Sequence, residues 1–170
     1  MIKNNKALAI AEKLGMQAHP EGGFYKETYR SEGVISPNNL PVEYEGSRNY
    51  STAIYFMLTS EAFSAFHKIK QDEFWFFHQG TPITFHTISS KGEYNVQTIG
   101  NDIARGQLPQ LVVKGGDWFA AEIESDNEFA LVSCTVSPGF DFNDFVLATK
   151  KELTELFPKH EDIISKLVRI

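Results

Sequence analysis

Residues 67–80 read HKIKQDEFWFFHQG, and the fold turns on them. His67 ends one apolar run, FSAFHKI. A short polar turn follows, and Glu73 then opens an aromatic run that stops at Gly80. In an antiparallel pair joined by such a turn, residues on neighbouring strands can project to the same side. If that side is a barrel interior, an imidazole and a carboxylate converge there, suited to metal ligation or to work as general base and orienter. If it is a surface hairpin, the two residues do neither. Strand parity puts Trp75 and Phe77 on the face of Glu73, giving an aromatic pocket floor. It sends His78, five residues on, to the opposite face unless a bulge intervenes.

The same pattern extends in both directions. FYKETYR alternates with period two, and TAIYFML is apolar on both faces, as a strand between two layers requires. PITFHTI, EYNVQTI, QLVVK, WFAAEI and FALVSCTV follow, separated by turn-forming words such as Gln79-Gly80-Thr81-Pro82 and Lys114-Gly115-Gly116-Asp117. Many short strands with no helix between them predict an all-β sandwich or barrel, from about residue 24 to 146. Helical spacing returns only at the ends, over 3–15 with Gly15 as its stop, and over 149–168 with Thr149 as a cap and Pro158 as a break. Ser31 to Arg48 is the longest loop and the expected mobile element. No repeat or linker divides the chain, so 1–170 reads as a single domain.

The composition narrows the possible partners. The chain has 170 residues, a formal charge of −6 and no Lys/Arg cluster, which argues against a nucleic-acid partner. No apolar run is long enough to span a membrane. The N-terminus lacks the apolar core and cleavage site of a signal peptide. Cys134 is the single cysteine and is read as an inert core thiol, which agrees with a reducing, cytoplasmic setting. Fourteen Phe point to a heavily aromatic interior or subunit interface.

The spacing of His67, Glu73 and Gly80 resembles the first conserved motif of the cupin superfamily. Val113-Lys114-Gly115-Gly116-Asp117-Trp118-Phe119 echoes its second. Further words are similar to one cupin family of unknown function, found in bacteria and fungi: His19-Pro20-Glu21-Gly22-Gly23, Glu27-Thr28-Tyr29-Arg30, and Ser137-Pro138-Gly139-Phe140-Asp141-Phe142. The resemblance implies a double-stranded β-helix, the cupin jelly-roll barrel, and a homodimer formed through its sheets. It also implies kinship in shape to sugar-nucleotide epimerases and seed storage proteins, without supplying a substrate.

The departures from the metal-binding cupin pattern are informative. Ile69 stands where a second histidine ligand would, and Phe119 stands where the second motif would supply its histidine. One His and one Glu fall short of the three or four ligands a transition metal wants, so no metal and no cofactor are expected. Were a metal bound, His67, Glu73 and His78 would be its ligands. Without one, His67 and Glu73 form the candidate catalytic pair, His67 as base and Glu73 or Asp141 as orienter. Glu21, aimed across the pocket mouth, joins Tyr25, Trp75, Phe77, Trp118 and Asp141 as candidate ligand contacts. Arg30 and Arg48 are the cations suited to a phosphate or carboxylate. The expected function is small-molecule binding, as an isomerase or epimerase on a sugar-like or carbonyl compound. A binding or sensory protein without turnover stays open, as does a metal-dependent oxygenase or isomerase.

Overall fold

The computed structural model describes residues 4–169 and realises this strand pattern. Helix α1 (Asn5–Leu14) is followed by β1 (Gln17–Ala18), β2 (Phe24–Arg30), β3 (Val34–Ile35), β4 (Arg48–Asn49), β5 (Thr52–Thr59), β6 (Ser64–Lys68), β7 (Glu73–Gly80) and β8 (Ile83–Ile88). Then come β9 (Tyr94–Ile99), β10 (Gln110–Val113), β11 (Trp118–Glu122), β12 (Phe129–Val136), β13 (Val146–Leu147), α2 (Lys150–Leu156) and α3 (Glu161–Lys166). Position 3 of the expected first helix lies outside the described residues. One sheet has the order β1-β2-β5-β12-β7-β10, and a second has β13-β6-β11-β8-β9. All pairings within them are antiparallel, as in the expected jelly roll.

Side-chain alternation assigns each face a layer. From β5, Phe56 and Leu58 enter the core between the sheets, while Met57 turns out beneath α1 beside Ala7, Ala11 and Leu131. From β11, Phe119 and Ala121 point in. Trp118 and Ala120 point out into a third core under α2 and α3, with Leu153, Ile164 and Leu167. Each fully buried aromatic or aliphatic side chain contributes about 1.5–3 kcal/mol over its exposed state. The helices therefore lie against the outer faces and leave the interior to the strands. Their ends follow local chemistry: Gly15 closes α1 in the left-handed region (φ 63°), and Thr149 Oγ1 caps α2 by accepting from Glu152 N–H.

One expectation is corrected here. His67 and Glu73 are not neighbours in a hairpin, because β6 and β7 belong to different sheets. β6 pairs with β11 and β13, whereas β7 pairs with β12 and β10. The segment after β6 carries the chain from one sheet to the other, and the two residues meet across the interior instead. The 31–48 loop is also tied down more than its composition suggests: β3 pairs with β4, and Arg48 at its end is buried.

Candidate functional site

A cavity of about 460 Å³ opens between the sheets on one side of the barrel. Its deep wall is made by His19, Glu21, Phe56, His67, Glu73, Trp75 and Cys134. Its rim includes Lys26, Glu27, Arg30, Asp141 and Phe142.

Glu21 reaches the interior because of the turn that carries it. Gly22 N–H donates to His19 C=O at 3.0 Å, and Ala65 N–H of β6 donates to the Glu21 carbonyl at 2.8 Å. Gly22 sits at φ 114°, and a Cβ there would come within 2.0 Å of the Phe63 carbonyl oxygen, so only glycine lets the turn lie this close. With its backbone fastened to β6, Glu21 presents its carboxylate to the neighbouring His67. Oε2 lies 3.0 Å from His67 Nε2 and 3.3 Å from His19 Nδ1, and Ser64 Oγ donates to Oε1 at 2.8 Å.

These contacts set the protonation states. His67 Nδ1 lies 2.8 Å from the Ala65 carbonyl, to which it donates, leaving Nε2 for Glu21. Burial pulls the His67 imidazole down, but the Glu21 charge and hydrogen bond outweigh this and hold it above its ordinary value. Burial likewise pushes Glu21 up, and His67 brings it below the usual carboxylate range. The two form a buried imidazolium–carboxylate pair. Burial lowers His19, which stays neutral and accepts at Nδ1 from Glu21 N–H (3.4 Å). Glu73 has no comparable cation. Burial, and then the nearby Glu21 charge, push it up to about 7. Burial also drives the Cys134 thiol well above its ordinary value, so it stays protonated. The ionisable groups are boxed by rings: Phe119 lies 4.0 Å and Phe145 5.3 Å from the His67 ring, and Tyr25 4.8 Å from the His19 ring.

The structure brings most of the sequence candidates to the cavity, though not all. His67, Glu73, Glu21, Tyr25, Arg30, Trp75 and Asp141 line it. Glu21 lies at its buried end and not at the mouth, and it takes the place beside His67 that Glu73 or Asp141 was expected to fill. Asp141 is at the rim, where its side chain accepts from Asn143 N–H. Arg30 is there too, but most of its donors go to Glu27, Asn49 Oδ1 and the Phe140 carbonyl.

Four candidates lie elsewhere. Arg48 is buried against Asp144, which takes its guanidinium in a two-pronged contact at 2.7 Å. Trp118 faces the helices because its strand parity is opposite to that of Phe119, and the Lys68 ammonium lies 4.6 Å over its ring. Phe77 points inward as parity requires but packs against the core away from the cavity. His78 sits at a register shift between β7 and β12, and its Nε2 meets Ser133 Oγ at 2.9 Å in an exposed contact, away from His67 and Glu73. Sequence reasoning passed over His19 as a site residue, and also the place of Cys134, Phe142 and Phe145 on the cavity wall. A histidine two residues before a glutamate in a Gly-Gly turn was the available signal for the first.

The donor set does not fit the metal site common among cupins. Phe119 stands opposite His67 in the β6–β11 register, Ile69 fills the second-histidine position, and His67 Nε2 is engaged by Glu21. Among the described residues no group of three or more His, Cys, Asp or Glu side chains is placed to hold a metal ion.

Comparisons with known proteins agree with this architecture. An uncharacterised protein of Saccharomyces cerevisiae is 33% identical, covering 88% of this chain and 74% of its own length. A hypothetical protein from Leishmania major superposes with a TM-score of 0.88 at 33% identity, over 96% of this chain and 99% of the other. A Shewanella oneidensis protein does so with a TM-score of 0.86 at 36% identity, over 98% of each. Oxalate decarboxylase from Bacillus subtilis shares the fold alone, with a TM-score of 0.53 at 14% identity over 88% of this chain and 36% of the other. The family profile described as cupin superfamily (DUF985) matches residues 9–148, and the chain belongs to that family.

Proposed function

We propose that the cavity binds a small carbonyl-bearing or sugar-like molecule and moves a proton on it, as an isomerase or epimerase does. The observation that carries this reading is the pairing, in one enclosed space, of a buried His67–Glu21 ion pair with a carboxyl, Glu73, poised near neutrality. A general base works best with a pKa near the operating pH, and Glu73 meets that condition. In its ionised form Glu73 takes the proton from a carbon next to a carbonyl. The developing enolate oxygen takes over the Nε2 proton that His67 otherwise donates to Glu21, leaving a neutral imidazole beside the Glu21 carboxylate. Return of both protons, at the other face or the neighbouring carbon, completes the isomerisation. The roles thus differ from a His67 base: Glu73 is the base, His67 the acid and Glu21 the orienter.

The test is proton NMR of hydroxyacetone and a panel of hydroxy-aldehydes and ketoses in deuterated buffer. Enzyme-dependent loss of a C–H signal next to the carbonyl is expected, and Glu73→Gln should reduce it at least a hundredfold. Saturable binding without exchange for any member would leave a ligand-binding protein without turnover.

Two further features belong to this reading. Ala53, Thr135, Phe74 and Val112 form one row across β5, β12, β7 and β10, and Tyr55, Ser133, Phe76 and Gln110 form the next. These outward rows carry no charge on a chain of net −6, which supports a homodimer through this sheet. The buried, unpaired Cys134 supports a cytoplasmic setting. No helix among the described residues is long and apolar enough to cross a membrane.

A further inference from the structure

The reading above leaves one cavity group unused. Trp75 is 1% exposed and lines the cavity, and its Nε1–H makes no hydrogen bond of ordinary geometry, only a looser contact with the neighbouring Glu73 carboxyl. Buried donors are almost always satisfied, and an orphan in a folded protein calls for an explanation. The indole is held on three sides by Phe85 (4.8 Å), Phe56 (5.2 Å) and Phe119 (6.3 Å), all edge-on, so its N–H direction is fixed. Glu73 shares its strand face, and the indole and the Cys134 thiol both lie beside that carboxyl. We infer that Trp75 Nε1 and Glu73 together anchor an uncharged hydroxyl or carbonyl oxygen at the leading end of the ligand, and that carboxylates and phosphates are turned away from that end.

The charge distribution gives the second half of this statement. The buried wall carries two carboxyls, Glu21 and Glu73, and one cation, His67, which Glu21 already satisfies. His19 is neutral beside them. At the rim Arg30 is paired with Glu27 and Lys26 is exposed to solvent. An anionic group pushed to the Trp75 end would face Glu73 with no unspent cation. A neutral oxygen there accepts from the Trp75 indole and from Glu73 when it carries its proton, or, as a hydroxyl, donates to Glu73 when it does not. The anchor rests on the proposal that the cavity binds a small molecule, and it adds the chemical class of the group bound first.

The chain has two tryptophans, which makes the test direct. Trp118, in the core under the C-terminal helices, is an internal control in the indole region of a nitrogen–proton correlation spectrum. The uniformly labelled protein is titrated with hydroxyacetone, glycerol, acetate and inorganic phosphate at pH 8. Hydroxyacetone or glycerol should shift the Trp75 indole saturably and leave Trp118 still, with acetate and phosphate at least tenfold weaker. Trp75→Phe removes the N–H while leaving a smaller aromatic ring in its place. It should weaken the neutral probe at least tenfold, followed on the amides of Ile69 and Cys134, with the Trp118 signal reporting that the variant is folded. Stronger shifts with acetate or phosphate, no Trp75 shift with either neutral probe, or unchanged affinity in folded Trp75→Phe would each overturn the anchor. Should Trp75→Phe fail to fold, the wild-type titration alone decides. A saturable Trp75 shift without proton exchange would keep the anchor and remove the isomerase reading.

Discussion

Two buried ion pairs, one on the deep wall of the cavity and one outside it, are built to opposite ends. In the Arg48–Asp144 pair nearly everything is satisfied. Both carboxylate oxygens accept from the guanidinium at 2.7 Å, Gln71 Nε2 donates to Oδ2, and Lys70 Nζ lies 3.2 Å from Oδ1. The remaining Arg48 donors go to the Glu45 and Ser47 carbonyls. The Glu21–His67 pair, by contrast, stands beside a second carboxyl that no cation neutralises and an indole donor with only a loose contact to that carboxyl. Charges in low dielectric are tolerable when their hydrogen-bonding capacity is filled, and the unfilled ones tend to mark functional sites. The first pair pins the end of the 31–48 loop to the 142–144 turn. The second is left open toward the cavity, where a ligand can complete it.

The comparison breaks most visibly if Arg48 is removed. Arg48→Leu leaves the Asp144 charge buried without its main partner, and a loss of about 3–5 kcal/mol in urea unfolding is expected. A loss below about 1 kcal/mol would show that the pair does not pin the loop.

The Glu73 carboxyl should reveal itself through pH. Its folded value near 7 lies above the unfolded 4.5, so the unfolded chain releases this proton first as pH rises. The stability associated with neutral Glu73 is full below pH 4.5 and is lost as pH climbs through 7. Over that window the loss is roughly 3 kcal/mol. Glu73→Gln cannot ionise, so it should melt higher than wild type at pH 8 while the two differ little near pH 4.5. Equal melting temperatures at pH 8 would mean that Glu73 is not desolvated.

Glu21→Gln sharpens the contrast from the other side. The His67 imidazolium loses its counter-charge, and its titration, followed by proton NMR, should fall below the ordinary histidine value, with roughly 1–3 kcal/mol lost in stability near neutral pH. An unchanged His67 titration would show that another group holds its proton. The smallest effect belongs to the exposed Lys114–Asp72 contact at 2.7 Å, where Lys114→Ala should change stability by less than about 1 kcal/mol. A larger loss would mean that surface pairs here behave like the buried ones.

Strand parity, turn chemistry and the End-of-helix signals at Gly15, Thr149 and Pro158 were legible because they depend on residues a few positions apart. Parity correctly put Glu73 with Trp75 and sent His78 to the outer face. The same rule, followed without the sheet order, made a hairpin of β6 and β7. Trp118 and Arg48 were misplaced for a related reason. A residue type suited to ligand binding says nothing about which layer its strand face meets, or whether a partner such as Asp144 has already claimed it.

The sequence by itself determined the strand-rich barrel, the helical ends, the absence of two metal ligands at positions 69 and 119, and the presence of His67 and Glu73 in one interior. The barrel and helical ends follow from period and composition, and the rest from local spacing set against the cupin motifs that the chain resembles. Only the tertiary structure decided that Glu21 is the partner of His67, that Glu73 is left without a cation, and that Trp75 Nε1 has no more than a loose contact with Glu73. Residues 21, 67 and 73 are brought together by a glycine turn laid on β6 and by a crossing between two sheets. Protonation there depends on burial and on neighbours distant in the chain, which no local pattern encodes.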